Sequence, residues 1–322
     1  MDPLEDVLAL LDATSQVSAG LAAGGRWAVR FPPPAGAKFN AVRRGSCWLR
    51  VDGVPDPVRL GTGDCFLLTR PVAFTLASDP DLPAEPAYPI FAAAGDGVAR
   101  AGDGDDVFLV GAAFTFTERA RALLLDSLPP LIQVPAGMPE ANTVRWALDE
   151  LDAELRGRPL GATLVAERLA IVMLVRVLRL HLARDAGPTG WLAGLADPTV
   201  AAALRELHAR PAHPWTVAEL ARAVAVSRST LASRFKDVVG KGPLEYLTEW
   251  RIELAAHRLR RGDDTVATIA GAVGYSSESA LSVAFKRTTG HSPRAYRSQL
   301  TRPADHPPAR HGALDGPASQ GR

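Results

Sequence analysis

Apolar and polar positions follow two different rhythms along this chain, and the change of rhythm divides it. Asp2 as a cap and Pro3 at the first helical position open a short helix whose apolar face carries Leu4, Val7, Leu8 and Leu11. From about Gly25 to Leu131, short apolar runs such as Ser46-Cys47-Trp48-Leu49-Arg50-Val51 and Cys65-Phe66-Leu67-Leu68 are punctuated by Gly, Pro and Asp clusters. That texture predicts a many-stranded antiparallel fold with tight turns, a barrel or a sandwich. From Glu140 the period becomes helical: Thr143 to Leu155 carries Val144, Ala147, Leu148 and Leu151, and Leu160 to Ala183 includes Ile171, Val172, Leu174, Val175, Leu178 and Leu182. The second of these is apolar around much of its circumference and needs partners on more than one face, either within the chain or in a dimer. Gly187-Pro188-Thr189-Gly190 reads as a hinge, Asp197-Pro198 opens another helix, and the segment after Arg302 lacks apolar periodicity and is expected to be disordered.

The helical half then repeats itself. Thr216-Val217-Ala218 through Ala223-Val224 returns as Thr265-Val266-Ala267 through Ala272-Val273, offset by 49 residues. The echo continues at an offset of 50 through Ser229/Ser279, Leu231/Leu281, Phe235/Phe285, Lys236/Lys286, Gly240/Gly290, Pro243/Pro293 and Tyr246/Tyr296. Each copy reads as helix, turn, helix. Thr216 and Thr265 cap the first helices, Ala225-Val226-Ser227 and Gly274-Tyr275-Ser276 make the turns, and Ser227 caps a second helix. At 100° per residue, Leu231 with Phe235 and Leu281 with Phe285 are the buried faces. Opposite them lie Ser229, Ser233 and Lys236 with Ala232 beside, and Ser279, Val283 and Lys286 with Ser282 beside. A major groove is about wide enough for one helix, so a duplicated unit with duplicated outer faces points to double-stranded DNA. Between the copies Pro243 starts a helix running to about Arg261, roughly 28 Å at 1.5 Å per residue and comparable with the ~34 Å of a DNA turn.

Charge sharpens this picture. Residues 1–199 hold 18 Lys/Arg against 24 Asp/Glu, whereas residues 200–302 hold 16 against 9, so a basic C-terminal domain is carried by an acidic one. A polyanion partner is implied for the C-terminal part alone. No apolar stretch approaches the ~18 residues of a membrane span, and the acidic start is unlike an export signal. The two cysteines, Cys47 and Cys65, read as core residues in a reducing cytoplasm.

The segments Arg234-Phe235-Lys236…Gly240…Pro243…Tyr246, Trp250-Arg251…Ala255…Leu259, Ile269-Ala270…Val273-Gly274-Tyr275 and Phe285-Lys286…Gly290…Pro293…Tyr296-Arg297 resemble the DNA-binding domain of AraC/XylS-family transcription regulators. Residues 1 to about 135 resemble the cupin-type sensor domain of one branch of that family, through Gly45-Ser46-Cys47-Trp48-Leu49, Gly63-Asp64 and Leu128-Pro129-Pro130. The expected fold class is therefore α+β: a cupin-like antiparallel β-barrel over 1–135, a helical connector over 136–190 with a candidate dimerisation role, an all-α tandem helix-turn-helix domain over 197–302 and a tail over 303–322. The expected DNA-binding residues are Ser227, Arg228, Ser229, Ala232, Ser233, Lys236, Ser277, Ser279, Ser282, Val283 and Lys286, with Lys241 and Arg287 as further phosphate partners. Family members often carry arginine at the centre of each groove-facing surface, where this chain has Ser233 and Val283. Neither grips guanine bidentately, so modest direct readout leaning on phosphates and DNA shape is expected.

Cupin barrels often hold a metal through histidines, yet all seven histidines of this chain lie beyond residue 180. Asn40 and Phe74 stand near where ligating histidines would fall and cannot replace them, so a metal-free barrel with no cofactor is expected. This argues against a cupin oxygenase or isomerase with a helical appendage. A small-molecule effector pocket is proposed from Trp27, Phe39, Asn40, Trp48, Arg50, Phe66 and Phe74; the rival is a domain that only dimerises. The expected protein is a cytoplasmic, sequence-specific transcription factor and not an enzyme. Double-stranded DNA, an effector, RNA polymerase and a second copy in a homodimer are its candidate partners, and activator its candidate mode.

Overall fold

A computed structural model describes residues 3–10, 14–94, 98–116, 121, 125–126, 128–138, 141–157, 159–184, 190–262 and 264–301. The Asp2 cap, residues 187–189 of the expected hinge and the expected disordered tail lie outside the described residues. The chain divides into two compact units, Met1–Thr248 and Glu249–Arg322.

The first unit opens with α1 (Pro3–Leu10), followed by strands β1 (Thr14–Gly24), β2 (Ala28–Phe31), β3 (Ala37–Arg44), β4 (Ser46–Val51), β5 (Val58–Gly61), β6 (Cys65–Leu68), β7 (Phe74–Ala77) and β8 (Glu85–Pro86), helix α2 (Ala87–Ala94), and strands β9 (Ala99–Gly102), β10 (Val107–Thr115) and β11 (Leu131–Val134). They form a six-stranded sheet in the order β11-β6-β3-β10-β1-β9 and a five-stranded sheet in the order β5-β4-β7-β2-β8. The expected closed barrel is thus corrected to two open sheets sharing one core. Leu21, Val42, Phe66 and Leu109 from the first sheet and Val29, Leu49, Phe74 and Leu76 from the second are buried together. Phe66 meets Phe74 edge-on across the layers, with ring centroids 6.0 Å apart.

One of the several crossings between the sheets is made by a single residue. Gly45 alone separates β3 from β4, which belong to different sheets. Its φ is 78°, and a Cβ there would stand 2.3 Å from the Asp106 carbonyl oxygen, so only glycine makes this crossing. The antiparallel expectation holds for most ladders, but β1–β9 and β2–β8 pair in parallel.

Helices α3 (Asn142–Gly157) and α4 (Ala162–Arg184) follow, in the period the apolar positions predicted. Val144, Ala147, Leu148 and Leu151 of α3 are buried, and α4 buries Leu169, Met173, Leu174, Val177 and Leu178 while leaving Val165 and Val172 exposed. Two polar clamps join helices and sheet. Ser15 Oγ donates to the Glu167 carbonyl at 2.7 Å, and Arg43 Nη2 meets Asp149 Oδ1 at 2.6 Å beside the buried Asp152.

The unit closes with α5 (Trp191–Ala196), α6 (Pro198–Ala209), α7 (Val217–Ala223) and α8 (Arg228–Val239), and helix α9 runs unbroken over Pro243–Arg261, the span read from the sequence. The second unit holds the C-terminal part of α9, α10 (Val266–Ala272), α11 (Glu278–Thr289) and α12 (Pro293–Thr301). Its core gathers Ile252, Ala255, Leu259, Ile269, Ala270, Leu281 and Phe285. Among the described residues, no helix is long and apolar enough to cross a membrane.

Candidate nucleic-acid interface

The two helix-turn-helix units are built by the same four local devices. First come the caps: Thr216 Oγ1 accepts from Glu219 N and Thr265 Oγ1 from Thr268 N, both at 3.1 Å. Ser227 Oγ likewise accepts from Thr230 N and Ser277 Oγ from Ala280 N, both at 3.1 Å, so each second helix starts on a serine that satisfies one of its first amides.

Second come the turns. Helix α7 ends with Val226 N bonded to the Ala221 carbonyl and Ala225 N to the Arg222 carbonyl. Helix α10 ends with Tyr275 N on Ala270 and Gly274 N on Gly271. Both are the paired 6→1 and 5→2 arrangement that requires a left-handed residue after the helix. Gly274 supplies it at φ 88°, but the first copy uses Ala225 at φ 56°. Among described non-glycine residues Ala225 alone has positive φ, which costs about 1–2 kcal/mol for an L residue. Ala225→Gly is therefore expected to stabilise the protein by about 1 kcal/mol and Gly274→Ala to destabilise it by a similar amount, read as shifts in urea midpoint at unchanged slope.

Third, α8 and α11 each end on a left-handed glycine, Gly240 at φ 86° and Gly290 at φ 78°. Fourth, each helix is pinned by an aromatic pair: Phe235 meets Tyr246 edge-on at 5.9 Å, and Phe285 meets Tyr296 at 5.4 Å. With Leu231, Phe235, Leu281 and Phe285 fully buried, the opposite faces are fixed outward.

On α8 that outward face presents Arg228, Ser229, Ser233 and Lys236, all exposed, with Ala232 half-buried at its margin. On α11 it presents Ser279, Val283 and Lys286, again exposed, with Ser282 half-buried. Ser227 and Ser277 are exposed at the helix starts, but their hydroxyls are engaged in capping. Val283 is 70% exposed, an unusual place for a large apolar side chain in a small unit whose other aliphatic groups are mostly inside. Ser233 Oγ donates to Asp237 Oδ2 at 3.1 Å, so the centre of the α8 face carries an acid-bound hydroxyl.

A device the sequence reading missed holds α8 in place. Asp197 caps α6, accepting from Thr199 N and Val200 N at 3.0 Å, and its second oxygen receives Arg234 Nε of α8 at 2.7 Å. Burial pushes this carboxyl up, but the Val200 amide, the Arg234 guanidinium and the Thr199 amide together hold it below its ordinary value. Arg234 sits among the residues that carry the family resemblance, yet its side chain serves helix docking.

Against known proteins, residues 2–183 match a family model described as Cupin and residues 220–299 one described as Helix-turn-helix domain. A putative AraC-like transcription regulator of Streptomyces lividans is 62% identical over 304 residues, covering 94% of this chain and 100% of that protein. The chain belongs to the AraC-like transcription regulators. A second member of this family, from Streptomyces antibioticus, is also 62% identical, over 92% of this chain and 98% of its own. Among solved structures, the DNA-binding domain of AdpA in complex with a target DNA is 33% identical over 32% of this chain and 92% of that one, with a TM-score of 0.31.

In this AraC-like chain the sensor residues named from the sequence do not share one cavity. Asn40 lines a cavity of about 240 Å³ between the sheets and α2, with Leu21, Phe31, Lys38, Leu76 and Phe91. Trp27 lines a separate one of about 210 Å³. Phe39 is buried on the opposite face of β3 from Asn40, as strand alternation requires. Phe66 and Phe74 are in the shared core, Phe74 stacked on Phe31 at 4.7 Å. Trp48 and Arg50 occupy the outer positions of β4, with Arg50 Nη2 3.3 Å from the Pro80 carbonyl. Lys38 was not anticipated; its place two residues before Asn40 on one strand is the signal that pairs them. Cys47 and Cys65 are buried as free thiols, and burial pushes both up to about 12, which leaves them protonated and unreactive.

A buried polar chain was also invisible to sequence reading. His208 of α6, 2% exposed, stands with Nδ1 3.2 Å from Asp6 Oδ2 of α1 and Nε2 2.7 Å from Tyr246 Oη of α9. It ties the first helix of the cupin-like half to the helices that carry the first DNA-binding unit.

Proposed function

We propose that α8 and α11 are the groove-reading helices of this regulator, α8 through Arg228, Ser229, Ala232, Ser233 and Lys236 and α11 through Ser279, Ser282, Val283 and Lys286. Ser227 and Ser277 stand at the helix starts, where the amides that their hydroxyls leave uncapped meet backbone phosphates. The observation that carries this reading is the matched orientation within each unit: the same aromatic pair and serine cap turn the same small, polar and basic face to solvent. Small side chains let a helix approach the base edges closely, Val283 offers an apolar contact to a thymine methyl, and the lysines supply the phosphate attraction.

Binding of this kind leans on charge, and its salt dependence reports how many phosphates are met. Lys236→Gln and Lys286→Gln are each expected to weaken binding to all sequences nearly equally and to lower the slope of log K against log salt by about 1, measured by fluorescence anisotropy on bound fragments. An unchanged slope would remove that lysine from the interface.

The acidic cupin-like half is the part we assign to regulation: to an effector, to contact with RNA polymerase at the promoter and, through the exposed side of α4, to a second copy of the chain. The cytoplasm is the compartment this function requires. Support for the polymerase and dimer assignments comes from the net −6 of residues 1–199 and the exposed Val165 and Val172.

A further inference from the structure

The cavity between the two sheets and α2 has walls that are apolar on nearly every side and polar at one place. Leu21, Phe31, Leu76, Phe91 and Leu109 form the apolar part. The polar place is a single strand face of β3, where Lys38 and Asn40 stand at i and i+2 and so project to the same side. Asn40 is 7% exposed, and its side-chain Nδ2 is fully buried with no hydrogen-bond acceptor. A buried amide donor left unsatisfied costs about 1–3 kcal/mol, and such a group in a cavity wall marks the place where a ligand atom completes the bonding.

We propose that this cavity binds a small apolar molecule ending in a carboxylate, with the head group held by Asn40 Nδ2 and Lys38 Nζ and the body against Phe31, Leu76 and Phe91. The head must accept and not donate, because the Asn40 nitrogen and an ammonium both donate. A single negative charge matches the single cation; a phosphate would bring a second charge into an apolar wall with nothing to balance it. Burial lowers the Lys38 ammonium to about 8, and an anion beside it would act in the opposite direction by favouring the charged form. The cavity, about 240 Å³, lies below the ~300–1,000 Å³ typical of sites for drug-sized ligands, which selects a short-chain or single-ring acid over a long-chain lipid. Helix α2 supplies Ala87, Tyr88 and Phe91, with Tyr88 81% exposed at the rim, so one wall of the site is a helix the strand texture of this region did not announce.

The proposal rests on the regulator reading only for what the ligand is for; its chemistry is tested without DNA. Calorimetric titration of the full chain with hexanoate, benzoate and cyclohexanecarboxylate, beside hexanamide and benzamide, is the direct experiment. Carboxylates are expected to bind at least about tenfold more tightly than their amides. Lys38→Met is expected to remove that preference, and Asn40→Leu to weaken every carboxylate, with circular dichroism reporting whether each variant folds. Equal affinity for acid and amide in the wild-type chain overturns the proposal, as does the absence of binding by all three acids at 10 mM, on the order of the weakest specific affinities, and neither result depends on a variant. Anisotropy on bound DNA fragments, run in parallel, separates the two readings: a chain that binds DNA but no acid loses only this inference, and a chain that binds no DNA loses the regulator assignment.

Discussion

Glutamate in place of Val283 is expected to weaken DNA binding by about 100-fold or more while leaving the helical content and the unfolding midpoint unchanged. Val283 is 70% exposed, so the folded unit loses no packing when the side chain changes. In a groove, however, the new carboxylate would stand between two rows of phosphates, and juxtaposed like charges cost several kcal/mol, against about 1.4 kcal/mol per tenfold in affinity. The matching change on the first unit, Ser233→Glu, is expected to act in the same direction and to a greater degree, because Asp237 is already bonded to Ser233 and a second acid would share that face. Anisotropy and circular dichroism on the same preparations check both halves of the expectation.

The largest expected effect on stability falls on the other side of the same helix. Phe285→Ala removes a fully buried ring that meets Tyr296 at 5.4 Å and lies at the centre of the core formed with Ile252, Ile269 and Leu281. Large-to-small changes of this type cost about 3–5 kcal/mol, a large share of the ~5–15 kcal/mol that holds a typical domain. The second unit is small, and small units bury proportionally less surface. Calorimetry is expected to show its transition lost or shifted far down, with the transition of the first unit retained; Phe235→Ala is expected to act correspondingly on the first helix-turn-helix.

These two results depend on features that were legible in the sequence to different degrees. Much of the duplicated units could be read because most of the devices that build them are local: a threonine or serine cap, a glycine after the second helix and an aromatic at fixed spacing. Helix α9 also has the span the sequence indicated. What escaped was non-local. The Asp197–Arg234 pair spans 37 residues and the Asp6–His208 contact 202, and neither leaves a periodic trace.

The sheets were legible as texture and not as topology. Strand β1, Thr-Ser-Gln-Val-Ser-Ala-Gly-Leu-Ala-Ala-Gly, begins before the expected strand region and lies inside its sheet between β10 and β9. Its small residues give it little β propensity of their own, so its place is set by pairing with β10. Helix α2 was hidden for a related reason: Ala-Tyr-Pro-Ile-Phe-Ala-Ala-Ala is a short apolar run, and periodicity alone does not separate such a run from a strand. The barrel expectation failed because successive strands pass repeatedly between two open sheets, one of these crossings being made by the single left-handed residue Gly45. Of the seven residues named for the sensor pocket, the structure brings Asn40 to the cavity lined by Lys38, because a face of β3 can be assigned from alternation only once the sheet's two sides are known.

Footprinting on a bound promoter fragment, with the wild-type chain, Ser233→Glu and Val283→Glu compared on one gel, tests most directly the claim that both units read DNA. The wild-type chain is expected to protect two major-groove segments, one for each unit. Each variant is expected to lose mainly one segment, a different one in the two cases. A single protected segment, or the same segment lost in both variants, would contradict the account.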